Sequence, residues 1–152
     1  MTTFDNDRLI QLNRLGGIME IKDLHGKYFL KVDLERNLVY EKPIGYWTSE
    51  DVKRLHNDYV EKIVPLFNGE EWAKLCDLSA YKVSMITEDI QDHVEWGWKN
   101  AFTTAATVLD KYDNYRSVIE LQMKIAAKDK SFKQEFFYKI ENAEKWLKTQ
   151  GF

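Results

Sequence analysis

Apolar and polar positions along the 152-residue chain change their period several times, and each change marks an element. Leu9, Leu12 and Leu15 share one helical face and Gly16-Gly17 follows, which predicts a short helix over 7–15 behind a polar start. Residues 18–23 alternate weakly and His25-Gly26 makes a turn. Residues 28–34 and 38–44 read as antiparallel strands joined at Glu35-Arg36-Asn37, with Pro43 near a strand end, where a missing N–H is tolerated. The chain therefore opens with a β-meander.

Thr48-Ser-Glu-Asp51 has the form of a capping box. Val52, Leu55, Tyr59, Ile63 and Phe67 then keep helical spacing up to Asn68-Gly69, with Pro65 bending the last turn. The near-continuous apolar run 72–79 suits a central strand covered on both faces. After a loop over 80–86, Thr87 is the expected N-cap of a helix of some 22 residues. Its stripe comprises Ile90, Val94, Trp98, Ala101, Phe102, Ala105, Val108 and Leu109. Gly97 inside it implies a close backbone contact, and Trp96 is expected to point away from the stripe. A strand over 114–121, a short helix over 122–131, a strand over 133–140 and a helix over 142–148 complete the pattern. The predicted class is α/β: a mixed sheet opening with an antiparallel meander, then alternating helices and strands packed on it. Residues 1–17 form an N-terminal extension and 18–152 a single domain.

Composition narrows the function classes. A formal charge of −3 offers no global attraction for phosphate backbones or anionic lipid, and the nearest basic cluster, Lys128, Lys130 and Lys133, is broken by Asp129 and Glu135. Neither a nucleic-acid partner nor a membrane partner is expected, and without an apolar leader or spanning run the protein is expected to be cytoplasmic. The single Cys76 excludes an intramolecular disulfide and reads as a small buried residue rather than a reactive thiol. His56 reads as a partly exposed helix residue, since no second His or Cys stands at ligand spacing from it. No Gly-rich phosphate loop, paired-His metal motif or Gly-x-Ser-x-Gly elbow is present, so no catalytic residues, metal or cofactor are expected.

Three stretches carry a family likeness: Gly45-Tyr-Trp-Thr-Ser-Glu-Asp51 after the meander, the strand ending Asp77-Leu-Ser79, and the tail 136–147 with its Ala-x-x-Trp-Leu ending. Over about residues 18–148 the chain resembles the STAS-like (anti-sigma-factor-antagonist-like) superfamily, in its branch of small bacterial proteins. That resemblance implies a protein–protein switch, in some members controlled by phosphorylation in the loop after the Asp-Leu strand, whereas a few related folds hold small apolar ligands. This chain departs from the regulated members, which carry an Asp-Ser-Ser-Gly-like element where it reads Ala80-Tyr-Lys-Val-Ser-Met-Ile-Thr87.

Two non-catalytic readings follow. The first is a regulatory protein–protein module, working with a protein partner or as a homodimer through the loop 80–87 and the helix start. The second is a binding protein for a small apolar ligand held between the sheet and the long helix, lined by Trp98 and Phe102. Together they nominate Asp77, Ser79, Tyr81, Ser84, Thr87, Trp96, Trp98 and Phe102 as the surface to examine.

Overall fold

Strict alternation in the meander turns Tyr28, Leu30 and Val32 into one core and leaves Lys31 in solvent, the signature of a sheet covered on one face there. The computed structural model describes residues 2–5, 8–13, 17–128 and 131–152. Antiparallel strands β1 (Thr2–Asp5), β2 (Arg8–Asn13), β3 (Ile18–Asp23), β4 (Tyr28–Asp33) and β5 (Leu38–Pro43) are followed by β6 (Trp72–Asp77), β7 (Phe102–Val108) and β8 (Lys133–Phe137), which add in parallel. Their order across the sheet is their order in the chain.

Helix α1 (Ser49–Asp58) leads into a π-helical turn at Tyr59–Ile63 and a 3₁₀ turn at Val64–Phe67. Helices α2 (Thr87–Lys99) and α3 (Arg116–Ala126) form the next two crossovers, and α4 (Ile140–Thr149) ends the chain. Crossovers of one hand that always step in the same direction put their helices on the same face. The main core accordingly joins Val52, Leu55, Tyr59, Phe67, Ile86 and Ile119 to one side of the sheet. On the other side Ala143 and Leu147 of α4 cover Leu38, Leu75, Ala106 and Val108.

Four expectations change. Residues 8–13 pair with β3, Ile10 opposite Ile21 and Leu12 opposite Met19, so this stretch is a strand and not a helix; residues 14–16 lie outside the described residues. Ile10 and Leu12 fit a period of two as well as Leu9 and Leu12 fit a helix, and a neighbouring strand decides between them. The helix from 87 stops at Lys99. Asn100 donates from Nδ2 to the carbonyl of Trp96 (2.8 Å), Ala101 takes a left-handed φ of 72°, and the run Phe-Thr-Thr-Ala-Ala-Thr-Val, rich in β-branched Thr and Val, continues as β7. Residues 116–121 belong to α3, which merges the expected strand and short helix into one element; 129 and 130 lie outside the described residues. The last strand ends at Phe137, and α4 opens at Ile140.

Gly97 does meet a close neighbour: a Cβ there would lie 2.9 Å from Cδ2 of Phe102. Thr48 is the N-cap of α1 as expected, and its own N–H donates to the Asp51 carboxylate at 2.8 Å. Among the described residues no helix is long and apolar enough to cross a membrane.

Candidate functional site

Alternation along three neighbouring strands points Val39, Glu41 and Pro43, then Trp72, Lys74 and Cys76, then Ala105 and Thr107 toward the three-helix face. Glu41 and Lys74 are thereby carried into the core, 8% and 3% exposed. A buried charge must be paired, and these are paired with each other, Nζ of Lys74 lying 2.9 Å from Oε1 of Glu41. Tyr59 O–H donates to the same oxygen at 2.6 Å. The ammonium sits 4.2 Å from the centre of the Tyr59 ring, a cation–π contact.

The cluster continues outward. Nζ of Lys74 is 2.8 Å from Nε2 of His93 on α2, and Nδ1 of His93 is 2.9 Å from Nδ1 of His56 on α1. With Lys74 as an ammonium, Nε2 of His93 accepts, so Nδ1 of His93 carries the proton and donates to His56. The result is a hydrogen-bonded string from Glu41 in the core to half-buried His56, which borders a shallow surface groove with Asp89, Asp92 and Trp96. Desolvation first, then Lys74 and His56, hold His93 well below the ordinary histidine range, and desolvation and Lys74 lower His56.

A pH dependence follows with a definite sign. A histidine whose folded pKa lies below its unfolded value of about 6.5 adds stability above that pH and loses it as the pH falls through the folded value. The urea midpoint should therefore hold steady from pH 8 to 7 and decline between 6.5 and 5, with His93→Gln flattening that stretch. Asp23 and Asp51 stay out of this window. Desolvation raises them, but for Asp23 the Arg54 guanidinium at 2.9 Å with the Lys27 and His25 N–H groups, and for Asp51 the Thr48 N–H with Arg54 at 2.8 Å, more than offset it, so their loss falls below pH 3.8. A flat profile over pH 5–6.5 in the unmodified protein would contradict the buried neutral His93.

Beside Glu41 and Lys74 the three-helix face leaves a cavity of about 80 Å³, walled by Val52, Leu55, Ile90, Ala105 and Met123, with Thr107 and Gln134 also at its lining. Cys76 borders it, and desolvation with the Glu41 carboxylate pushes its thiol up, out of the reactive thiolate range.

The eight nominated residues separate into several places. Asp77 and Ser79 close the end of β6 on themselves: Asp77 Oδ1 accepts from the Ser79 N–H (3.1 Å) and hydroxyl (2.6 Å), and Oδ2 accepts from Tyr40 O–H (2.5 Å). Tyr81, Ser84 and Thr87 converge on buried Gln122 of α3. Gln122 accepts from Tyr81 O–H (2.8 Å) and donates to the Ser84 carbonyl (2.8 Å) and Thr87 Oγ1 (3.0 Å). Thr87 is the first helical residue and Ile86 the N-cap, so the Thr87 hydroxyl serves Gln122 rather than capping α2. Ser84 Oγ accepts from the Trp47 N–H at 2.9 Å and donates to the Lys82 carbonyl at 2.7 Å.

The two tryptophans exchange roles. Trp98 is 41% exposed, whereas Trp96 packs on the core and meets His56 edge-on at 4.8 Å between ring centres. A helix continued through 101–109 would turn its apolar face toward Trp98, whereas the helix that ends at Lys99 turns His93 and Gly97 inward. Phe102 is buried as expected and stacks on Trp72 at 4.6 Å, and Phe102, but not Trp98, lines the cavity. Glu41, Lys74, Tyr59 and His93 were not recognised from the sequence as a group. The available signal was that Glu41 and Lys74 alternate in phase with Val39 and Trp72.

A second concavity, of about 680 Å³, lies on the outside between the loop 83–87, the start of α2 and α3. Val118, Leu121 and Ile125 form an exposed stripe on α3, and Met85 is fully exposed opposite them. Glu88 and Asp89 make its acidic rim. Among the described residues no group of three or more His, Cys, Asp or Glu could hold a metal ion. Comparison with protein-family models, with curated proteins and with solved structures gave no match in any of the three.

Proposed function

We propose that the protein is a non-catalytic interaction module, of the kind the STAS-like resemblance implies, that docks a basic amphipathic segment of another protein in the groove between the loop 83–87 and α3. The observation that carries this reading is the exposed apolar set Met85, Val118, Leu121 and Ile125 beside acidic Glu88 and Asp89. Single exposed apolar residues are ordinary, but four facing one concavity are not. An amphipathic helix enters such a groove with anchors spaced i, i+3 or i+4, and i+7, and lysines or arginines on its flank would meet the rim. A second copy of the chain would bring two acidic rims into one interface, which disfavours self-association through this face. Ser84 and Thr87 support the groove by fixing the loop to Gln122.

The test is a titration of the ¹⁵N-labelled protein with a synthetic Leu/Lys amphipathic helix. Shifts should concentrate at 83–89 and 118–125, binding should weaken with added salt, and Leu121→Asp should reduce affinity tenfold or more, about 1.4 kcal/mol or greater. Shifts elsewhere, or none, would remove this reading. A concentration-dependent dimer that Leu121→Asp dissolves would replace the foreign partner with a second copy.

A further inference from the structure

We infer that the cavity between the sheet and helices α1–α3 is a binding site for a small, uncharged, mainly apolar molecule bearing one hydrogen-bond donor, a short alcohol, seated with its O–H on Oε2 of Glu41. Hydrogen-bond supply selects this occupant. Lys74 has three N–H groups; one faces Glu41 Oε1, one faces His93 Nε2, and the ring of Tyr59 lies within 4.2 Å of the same nitrogen. Its charge is therefore already met. Glu41 is different. Oε1 receives two strong donors, Lys74 and Tyr59, but among the described residues Oε2 receives only the Cys76 thiol, a weak donor 3.8 Å away. A glutamate whose side chain is nine-tenths buried and which lines a mostly apolar cavity, with acceptor capacity left over on one oxygen, selects an occupant that donates.

Charge and size define the class further. An anion would meet Glu41 itself, and a cation would meet Lys74 with a wall beyond them that is mostly apolar and carries no second carboxylate, so the occupant is neutral. About 80 Å³ exceeds the ~10–15 Å³ that one water requires and falls below the ~150 Å³ of an engineered cavity that admits benzene. That range suits about four to six non-hydrogen atoms. Water alone is a poor filling, because a buried water needs two to four polar partners and most of this lining offers none. The site shares none of its lining with the outer groove and does not depend on the docking reading.

Cyclobutanol and tetrahydrofuran make the deciding pair of probes, since they are isomers of like size and only the first has a donor. Titrated into the ¹⁵N-labelled protein, cyclobutanol should shift amides around Glu41, Lys74 and Ala105 and bind at least fivefold more tightly than tetrahydrofuran. Ala105→Leu, which adds volume to the cavity from β7 in register with Lys74, should abolish the effect. Equal binding of the two isomers, shifts confined to the surface, no binding of either, or undiminished binding by a folded Ala105→Leu protein would each overturn the assignment. If Ala105→Leu does not fold, the comparison of isomers on the unmodified protein decides.

Discussion

Lys74→Met should lower the unfolding free energy by about 3–5 kcal/mol, the usual cost of leaving one member of a buried ion pair behind. Glu41 would keep the Tyr59 hydrogen bond but lose its counter-charge in a largely buried setting. Glu41→Leu combined with Lys74→Met should recover most of the loss, because an apolar pair of similar volume removes both desolvation costs together. Recovery should stop about 1–2 kcal/mol short of the parent, since Tyr59 O–H and His93 Nε2 each lose a buried partner. Denaturant titration of the four proteins of this cycle measures the coupling. Additive losses would show that the two charges do not act as a pair.

Trp72→Ala should cost a comparable 3–5 kcal/mol, and Trp98→Ala under about 0.5 kcal/mol. Trp72 is wholly buried and stacks against Tyr59, Phe67 and Phe102, with ring centres 5.6, 5.7 and 4.6 Å away. Its indole N–H also donates to the Asn100 carbonyl at 2.8 Å, in the turn that ends α2. Removal therefore leaves a cavity and takes a partner from the backbone turn that separates α2 from β7. Chemical denaturation of both variants provides the check, and equal losses would contradict the packing described for these two residues.

The α/β class and the meander were legible because local alternation is strong there: Tyr28, Leu30 and Val32 admit one periodicity only. The boundary at Asn100–Ala101 was not. Ala101, Phe102 and Ala105 continue a helical stripe as convincingly as they begin a strand, and the choice depends on β6 waiting alongside to pair. A helix carried past this boundary exchanges the places of Trp96 and Trp98. The stretch 116–121 was hidden for the complementary reason: Val118 and Ile119 are β-formers, yet only Ile119 faces the core, with Val118 and Leu121 left outside on a helix. The polar cluster was hidden because a strand lysine or glutamate normally marks a solvent face, and only the helices stacked on β5 and β6 make that face an interior.

Because the strands lie across the sheet in the order in which they are synthesised, each new strand finds its template in the segment made just before it. No strand has to wait for a distant one, and none has to be inserted between neighbours already paired. Loops closed within the meander are short, whereas each parallel strand is reached through a longer crossover carrying a helix, which keeps the entropic barrier to pairing lowest in the N-terminal meander and favours growth of the sheet from there toward β8. In a nascent chain the Glu41 strand emerges before Lys74, and Lys74 before His93, so the carboxylate meets its counter-ion only when the next strand has been made.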